Sequence, residues 1–252
     1  MLDADLARAV REFDTDGFTA LRGYLPPAEV ESIHERTRRY VDEVVPTLPK
    51  EEVFYEVKGD PKTLKMLSRI DQRDSFFKEL FTSERLRGLA RSLLKEDVVT
   101  NSMQWLNKPP GVGVESPPHQ DGYYFRIEPN EAVTLWVALD SANVENGCLR
   151  YVPGSHKRGV LPHERSQTLG FSQTVAGYGD AERAAEVAIH ANPGDVIAHH
   201  SLTIHRADTN PSTRPRRALT AVYFSVRARR DEAALSEYQH KLNQELAQAG
   251  KI

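Results

Sequence analysis

From about residue 97 onward the chain is a series of short apolar runs, each closed off by turn residues. The runs cover 98–106, 133–138, 148–152, 187–191, 195–199 and 219–226. Between them stand Pro109-Pro110-Gly111, Glu145-Asn146-Gly147, Pro153-Gly154-Ser155 and Asn192-Pro193-Gly194, residue types that reverse a chain. Many short strands at regular spacing predict an all-β sandwich or barrel. Ahead of this part, apolar stripes at helical spacing occupy 2–13, the stretch opened by Pro26-Pro27 (Val30, Ile33, Thr37, Tyr40, Val41, Val44), and 75–95. Segments 17–24 and 51–58 read as strands. Leu235, Tyr238, Leu242 and Leu246, followed by Gly250, predict a closing helix over 231–249.

No linker or repeat interrupts this order, so 1–252 is expected to be one domain. It divides into a helical and mixed part (1–96), a β core (97–228) and a C-terminal helix (229–252). The polar segment 161–186 is long for a loop and is read either as a lid or as a disordered insertion. Lys+Arg total 33 against 36 Asp+Glu, a net charge of −3, which gives no reason to expect a nucleic-acid partner. No run of about 18 apolar residues is present, so no membrane span is expected. The acidic, amphipathic start lacks the form of a secretory signal, and a cytoplasmic protein is expected. Cys148 is the single cysteine. It excludes an intrachain disulfide and a cysteine-based zinc cluster, so any bound metal must take nitrogen and oxygen ligands from among nine histidines and the carboxylates.

His119 and Asp121 stand two apart in Pro-Pro-His-Gln-Asp-Gly. In extended chain, residues i and i+2 share a face, so this imidazole and carboxylate converge. A third ligand must come from elsewhere. His199, His200 and His205 follow a second strand start at Gly194-Asp195, and spacing does not choose among them. Beyond them Arg214, Arg216 and Arg217 precede a hydrophobic strand. Guanidinium pairs a carboxylate through two parallel hydrogen bonds, so an arginine here suits an organic-acid ligand. Two histidines and one carboxylate with open positions are the donor set of non-haem Fe(II) oxygenases. The competing reading is a zinc hydrolase or a cupin-like metal-binding module, which accounts for the ligands but has no use for the arginine.

The chain resembles the phytanoyl-CoA dioxygenase family of Fe(II)- and 2-oxoglutarate-dependent oxygenases. The carriers are Asp16-Gly17-Phe18, Asn107-Lys108-Pro109-Pro110, His119-Gln120-Asp121, Glu145-Asn146-Gly147-Cys148-Leu149, Val152-Pro153-Gly154-Ser155-His156, Gly194-Asp195, His205, Asn210 and Arg216, in that order over about 13–227. The resemblance implies a double-stranded β-helix (jelly-roll) core with N- and C-terminal helices. It implies Fe(II), 2-oxoglutarate and O2 as cofactor and cosubstrates, and hydroxylation of a small-molecule substrate with release of succinate and CO2, by a monomer or homodimer. His119, Asp121 and His205 correspond to the iron ligands, and His199 and His200 to neighbours of the strand with ordinary structural roles. Arg216 corresponds to the 2-oxoglutarate arginine, with Arg214 as the near alternative. Met103, Gln120 and Trp136 match positions lining the cosubstrate pocket, and Lys65 a more remote contact. Asp121 favours hydroxylation over halogenation, because related halogenases lack that carboxylate. Where some relatives carry a serine two residues after the distal histidine, this chain has Ala207. Tyr123, Tyr124 and Phe125 are expected in a strand, as core or as a wall of the substrate space. Cys148 is expected to pack as a small apolar group, and His156 to be a structural hydrogen-bonding partner.

Overall fold

The computed structural model describes residues 3–168, 171–233, 235–237, 240 and 244. The helix expected over 231–249 falls largely outside these residues. Helix α1 (Asp3–Asp16) leads through Gly17 into β1 (Phe18–Leu21). Helix α2 (Pro27–Glu43) starts at a proline, whose missing N–H costs nothing in a first turn, and buries Val30, Ile33, Thr37 and Tyr40. Two short strands follow, β2 (Val53–Tyr55) and β3 (Leu64–Ser68), then the one-turn helix α3 (Ile70–Arg73). The helix expected over 75–95 is two helices, α4 (Ser75–Thr82) and α5 (Glu84–Leu94). Ser83 breaks them: its backbone is extended and its hydroxyl accepts from Leu86 N–H, capping α5.

The β core runs β4 (Val98–Lys108), β5 (Ser116–His119), the helical turn α6 (Asp121–Phe125), β6 (Ile127–Glu128), β7 (Ala132–Ala138) and β8 (Leu149–Tyr151). It continues with β9 (His163–Thr168), β10 (Phe171–Val175), α7 (Asp180–Ala184) and β11 (Val187–Ile189). It closes with β12 (Val196–His200), β13 (His205–Ala207), β14 (Arg216–Ser225) and β15 (Arg229–Arg230). The expected runs appear as β4, β7, β8, β11, β12 and β14. Segment 161–186 holds the β9–β10 hairpin and α7, which overturns the reading of it as a disordered insertion. Tyr123, Tyr124 and Phe125 lie in α6 rather than in a strand.

Seven antiparallel strands form one sheet in the order β1-β12-β7-β14-β4-β3-β2, and four form a second, β11-β8-β13-β5. This is the double-stranded β-helix expected. Alternation along each strand of the larger sheet sorts its side chains into two sets. Leu67, Met103, Trp105, Val133, Leu135, Val137, Val196, Ala198, Leu219, Ala221 and Tyr223 share one buried cluster with Phe13, Ile33, Tyr40, Phe77, Leu86 and Leu93 of the flanking helices. The opposite face packs toward the smaller sheet: Trp136, Ala138, Ile197 and Ala218 cluster with Leu149, Tyr151 and Ala207, and Cys148 joins them as a buried apolar group. Among the described residues no helix is long and apolar enough to cross a membrane.

Leu135 is fully buried at the centre of the helix-facing layer. Leu135→Ala should lower unfolding stability by about 2–5 kcal/mol, read from urea denaturation of the metal-free protein.

Candidate metal centre

His119 ends β5, Gln120 continues in extended conformation, and Asp121 opens α6. His205 opens β13, which pairs antiparallel with β5 so that His205 lies opposite His119. The two rings are 4.2 Å apart between centroids. Each Nδ1 lies against a carbonyl, Pro117 O at 2.7 Å for His119 and Thr203 O at 3.0 Å for His205. A carbonyl only accepts, so Nδ1 carries the proton and Nε2 keeps its lone pair. Both Nε2 atoms face the same carboxylate oxygen, Asp121 Oδ1, at 3.6 and 3.7 Å. The ligand atoms of His119, Asp121 and His205 all lie within 4.8 Å of one another. Gly122 must follow: a Cβ there would sit 2.3 Å from Asn130 Oδ1.

The electrostatics prepare the three groups as ligands. Burial lowers the pKa of His119, and lowers that of His205 further with help from His119 and His199. Both are therefore neutral and able to coordinate. Burial would raise the Asp121 carboxyl, but His205, His199 and His119 outweigh it and hold the group well below the usual carboxylate range. Two neutral imidazoles and one carboxylate form a donor set that fits an Fe(II)-type centre.

His199 does more than the sequence reading assigned to it. Its Nε2 lies 3.1 Å from Asp121 Oδ2, and its Nδ1 is 2.9 Å from the Tyr151 hydroxyl. Thr134, opposite His199 across the β7–β12 pair, donates to the same Oδ2 at 2.6 Å. A signal was present: consecutive residues on a strand face opposite sides, so only one of His199 and His200 could share the helix-facing side. His200 takes that side, 5.9 Å from the Phe13 ring.

A cavity of about 260 Å³ opens beside these groups, lined in part by Gln104, Tyr124, Thr134, Trp136, Arg216 and Thr220. Arg216 is 4% exposed, and its Nε and Nη1 are buried without a hydrogen-bond partner among the described residues. Its guanidinium lies 5.3 Å from the Trp136 ring centroid, and burial pushes its pKa down to about 10. A buried cation lacking partners on two nitrogens is costly unless an anion completes it. The remote carboxylate of 2-oxoglutarate is such an anion, so the residues present fit that cosubstrate.

Other expected pocket residues lie elsewhere. Arg214 is half exposed and pairs with Glu145 at 2.7 Å, away from the cavity lining. Met103 faces the helices, and its neighbour Gln104 takes the cavity side, a one-residue displacement that in a strand reverses the face. Gln120 is fully buried outside the cavity lining. It donates to Leu202 O at 2.7 Å and Gly159 O at 2.9 Å, and accepts from Leu161 N–H at 2.8 Å. Lys65 is ion-paired with Glu56 at 3.0 Å and lines a smaller adjoining space with Lys108 and Arg216. His156 Nε2 contacts Asp14 O at 3.3 Å.

A jelly roll holding this triad beside a buried, incompletely paired arginine defines the frame of a non-haem iron, 2-oxoglutarate-dependent oxygenase. Residues 13–218 match the phytanoyl-CoA dioxygenase (PhyH) family, and the chain belongs to it. It is 34% identical over 152 residues to a phytanoyl-CoA dioxygenase of Arabidopsis thaliana, covering 59% of this chain and 52% of that one. The match therefore spans about half the length of that relative. Among solved structures it is similar to EvdO2 from Micromonospora carbonacea var. aurantiaca complexed with 2-oxoglutarate. There the TM-score is 0.71 and the identity 27%, over 90% of this chain and 92% of that one. It is also similar to the epimerase SnoN in complex with Fe3+, alpha ketoglutarate and nogalamycin RO. The TM-score is 0.71 and the identity 26%, over 89% and 85% of the two chains.

The buried histidines give metal-free stability a defined pH dependence. Burial lowers His119 and His205, and takes His200 down to about 4. In the unfolded chain such groups titrate near ~6.5. Below that value the unfolded state binds more protons, so stability falls as pH falls. The urea midpoint of the metal-free protein should be flat above pH ~7 and drop between ~6.5 and ~4.5. An equal or higher midpoint at the acid end would contradict this account.

Proposed function

We propose that the protein is an Fe(II)- and 2-oxoglutarate-dependent dioxygenase that hydroxylates a small polar organic molecule. The observation that carries this reading is Arg216: its partnerless nitrogens share a cavity with the triad. Zinc hydrolysis would use the triad and leave that buried charge unexplained. Bound iron and 2-oxoglutarate would supply oxidation of a C–H bond by O2, with succinate and CO2 as coproducts.

The chain's own residues bind and orient. His119, Asp121 and His205 would hold the metal, and Arg216 would pair with the remote carboxylate of the cosubstrate while its other face rests on Trp136. The buried Thr220 hydroxyl, also without a partner among the described residues, is a further donor into the cavity. Tyr124, Phe125 and Val222 cover the cavity with apolar surface and limit water near the reacting atoms. Ser102, Gln104, Tyr124 and Phe125 also line a second cleft of about 660 Å³, together with Ser68, Arg69, Gln72, Asn101 and Arg230. Substrate approaching through that cleft meets amides, hydroxyls, guanidinium groups and the carboxylates of Glu51 and Glu52, a mostly polar lining that supports a polar molecule over a long acyl chain.

Truncating one partner of a buried charge pair typically costs about 2–5 kcal/mol. Arg216→Met should therefore weaken 2-oxoglutarate binding about 30-fold or more, measured anaerobically from the visible absorption of the Fe(II) complex. Arg214→Ala should leave it unchanged. The reverse pattern would make Arg214 the clamp. Screening metabolites for O2-dependent succinate release, with mass analysis of the product, tests the reaction. A product one oxygen heavier supports hydroxylation, whereas a product of unchanged mass would point to an epimerase.

A further inference from the structure

We infer that His199 is a positioning residue for the metal centre: with Thr134 it occupies one oxygen of Asp121 and leaves the other as the metal ligand, and Tyr151 holds it in the tautomer that can do so. The two carboxylate oxygens have separate surroundings. Oδ1 faces the Nε2 atoms of His119 and His205 at 3.6 and 3.7 Å. Oδ2 meets Thr134 Oγ1 at 2.6 Å and His199 Nε2 at 3.1 Å. An ionised carboxylate only accepts, so His199 must carry its proton on Nε2. In the neutral ring Nδ1 is then an acceptor, and the Tyr151 hydroxyl donates to it at 2.9 Å.

Every member of this chain is held from behind. His199 is 2% exposed, Thr134 3% and Tyr151 fully buried. His199 and Thr134 are direct cross-strand neighbours in the larger sheet, whereas Tyr151 lies opposite His205 in the smaller one. The Tyr151 ring also stacks on His205, 5.7 Å between centroids and 27° between planes. One tyrosine thus touches a metal-ligating histidine with its face and the carboxylate's hydrogen-bonding partner with its hydroxyl. With Oδ2 taken by two donors, Oδ1 is the oxygen that the carboxylate would offer to a metal held with His119 and His205. Groups hydrogen-bonded to metal ligands typically change metal affinity 10–100-fold when removed.

The test needs the metal alone, without substrate, and does not depend on the reaction catalysed. Affinity of the full chain for Fe(II), and for Co(II) as a spectroscopic probe, is measured anaerobically by competition with a chelator. The unfolding midpoint of each metal-free variant is recorded in parallel. His199→Ala and Thr134→Val should each weaken metal binding about 10–100-fold. Tyr151→Phe, which keeps the ring against His205, should weaken it less. His199→Gln, whose amide can donate to Asp121 and accept from Tyr151, should recover most of the affinity. The Co(II) absorption of His199→Ala should shift as the carboxylate gains freedom to bind through both oxygens. If His199→Ala does not fold, His199→Gln and Tyr151→Phe decide by the same measure. Wild-type affinity and spectrum in His199→Ala would overturn the inference. So would a loss in His199→Gln as complete as in His205→Ala, because His199 would then be a ligand.

Discussion

The pairing of β5 with β13 carries the rest of the site. It places His205 opposite His119 although 86 residues separate them, and Asp121 reaches the same point because it follows His119 by two. Strand pairing has a period of two, so a slip of one residue would turn one histidine away from the other. The register is secured from outside the pair. β13 also pairs with β8, setting His205 opposite Tyr151. The β9–β10 hairpin is tied to the same region by Thr174 to Pro118 O at 2.9 Å and by Tyr124 to Gln173 O at 3.0 Å. Gln120, between the two ligands, pins the loops at 159–161 and 202.

Asp121 and Arg216 line the same cavity in different surroundings. Asp121 is surrounded by three imidazoles. Arg216 is surrounded by aromatic and apolar groups, with Lys108 and Lys65 nearby and Glu56 as their carboxylate. Burial, reinforced by Arg216 and Lys65, pushes the Lys108 pKa well below the usual lysine range. These groups line the smaller space that adjoins the cavity at Arg216, the residue common to both. Nearby surface pairs such as Arg214–Glu145 contribute little, because water screens them.

The long apolar strands of the larger sheet were legible in the sequence because each buries a helix-facing row of branched and aromatic residues. In the smaller sheet β8 and β11 were legible as well, but β5 and β13, the two strands that carry His119 and His205, were not. β5 reads Ser-Pro-Pro-His and β13 His-Arg-Ala, with no apolar alternation to mark them. The candidate triad was nevertheless readable, through the two-residue spacing of His119 and Asp121 and through family resemblance for His205, and the fold brings the three side chains together. Gln120 and Met103 were misplaced for a common reason. Matching positions to a pocket does not fix which face a side chain takes, and in β4 the pleat gives the cavity to Gln104. His199 contacts Asp121; strand alternation placed it on the face opposite His200, but nothing in the spacing named Asp121 as its partner.

β12 presents neighbouring residues to two different environments. His199 looks inward at Asp121, and His200 looks outward, where its ring meets Phe13 of α1 and His156 and its N–H donates to Gly17 O. The N-terminal helix and the Asp121 carboxylate thus contact two neighbouring side chains on opposite faces of one strand. The seat of α1 and the surroundings of Asp121 are therefore built from the two sides of a single strand.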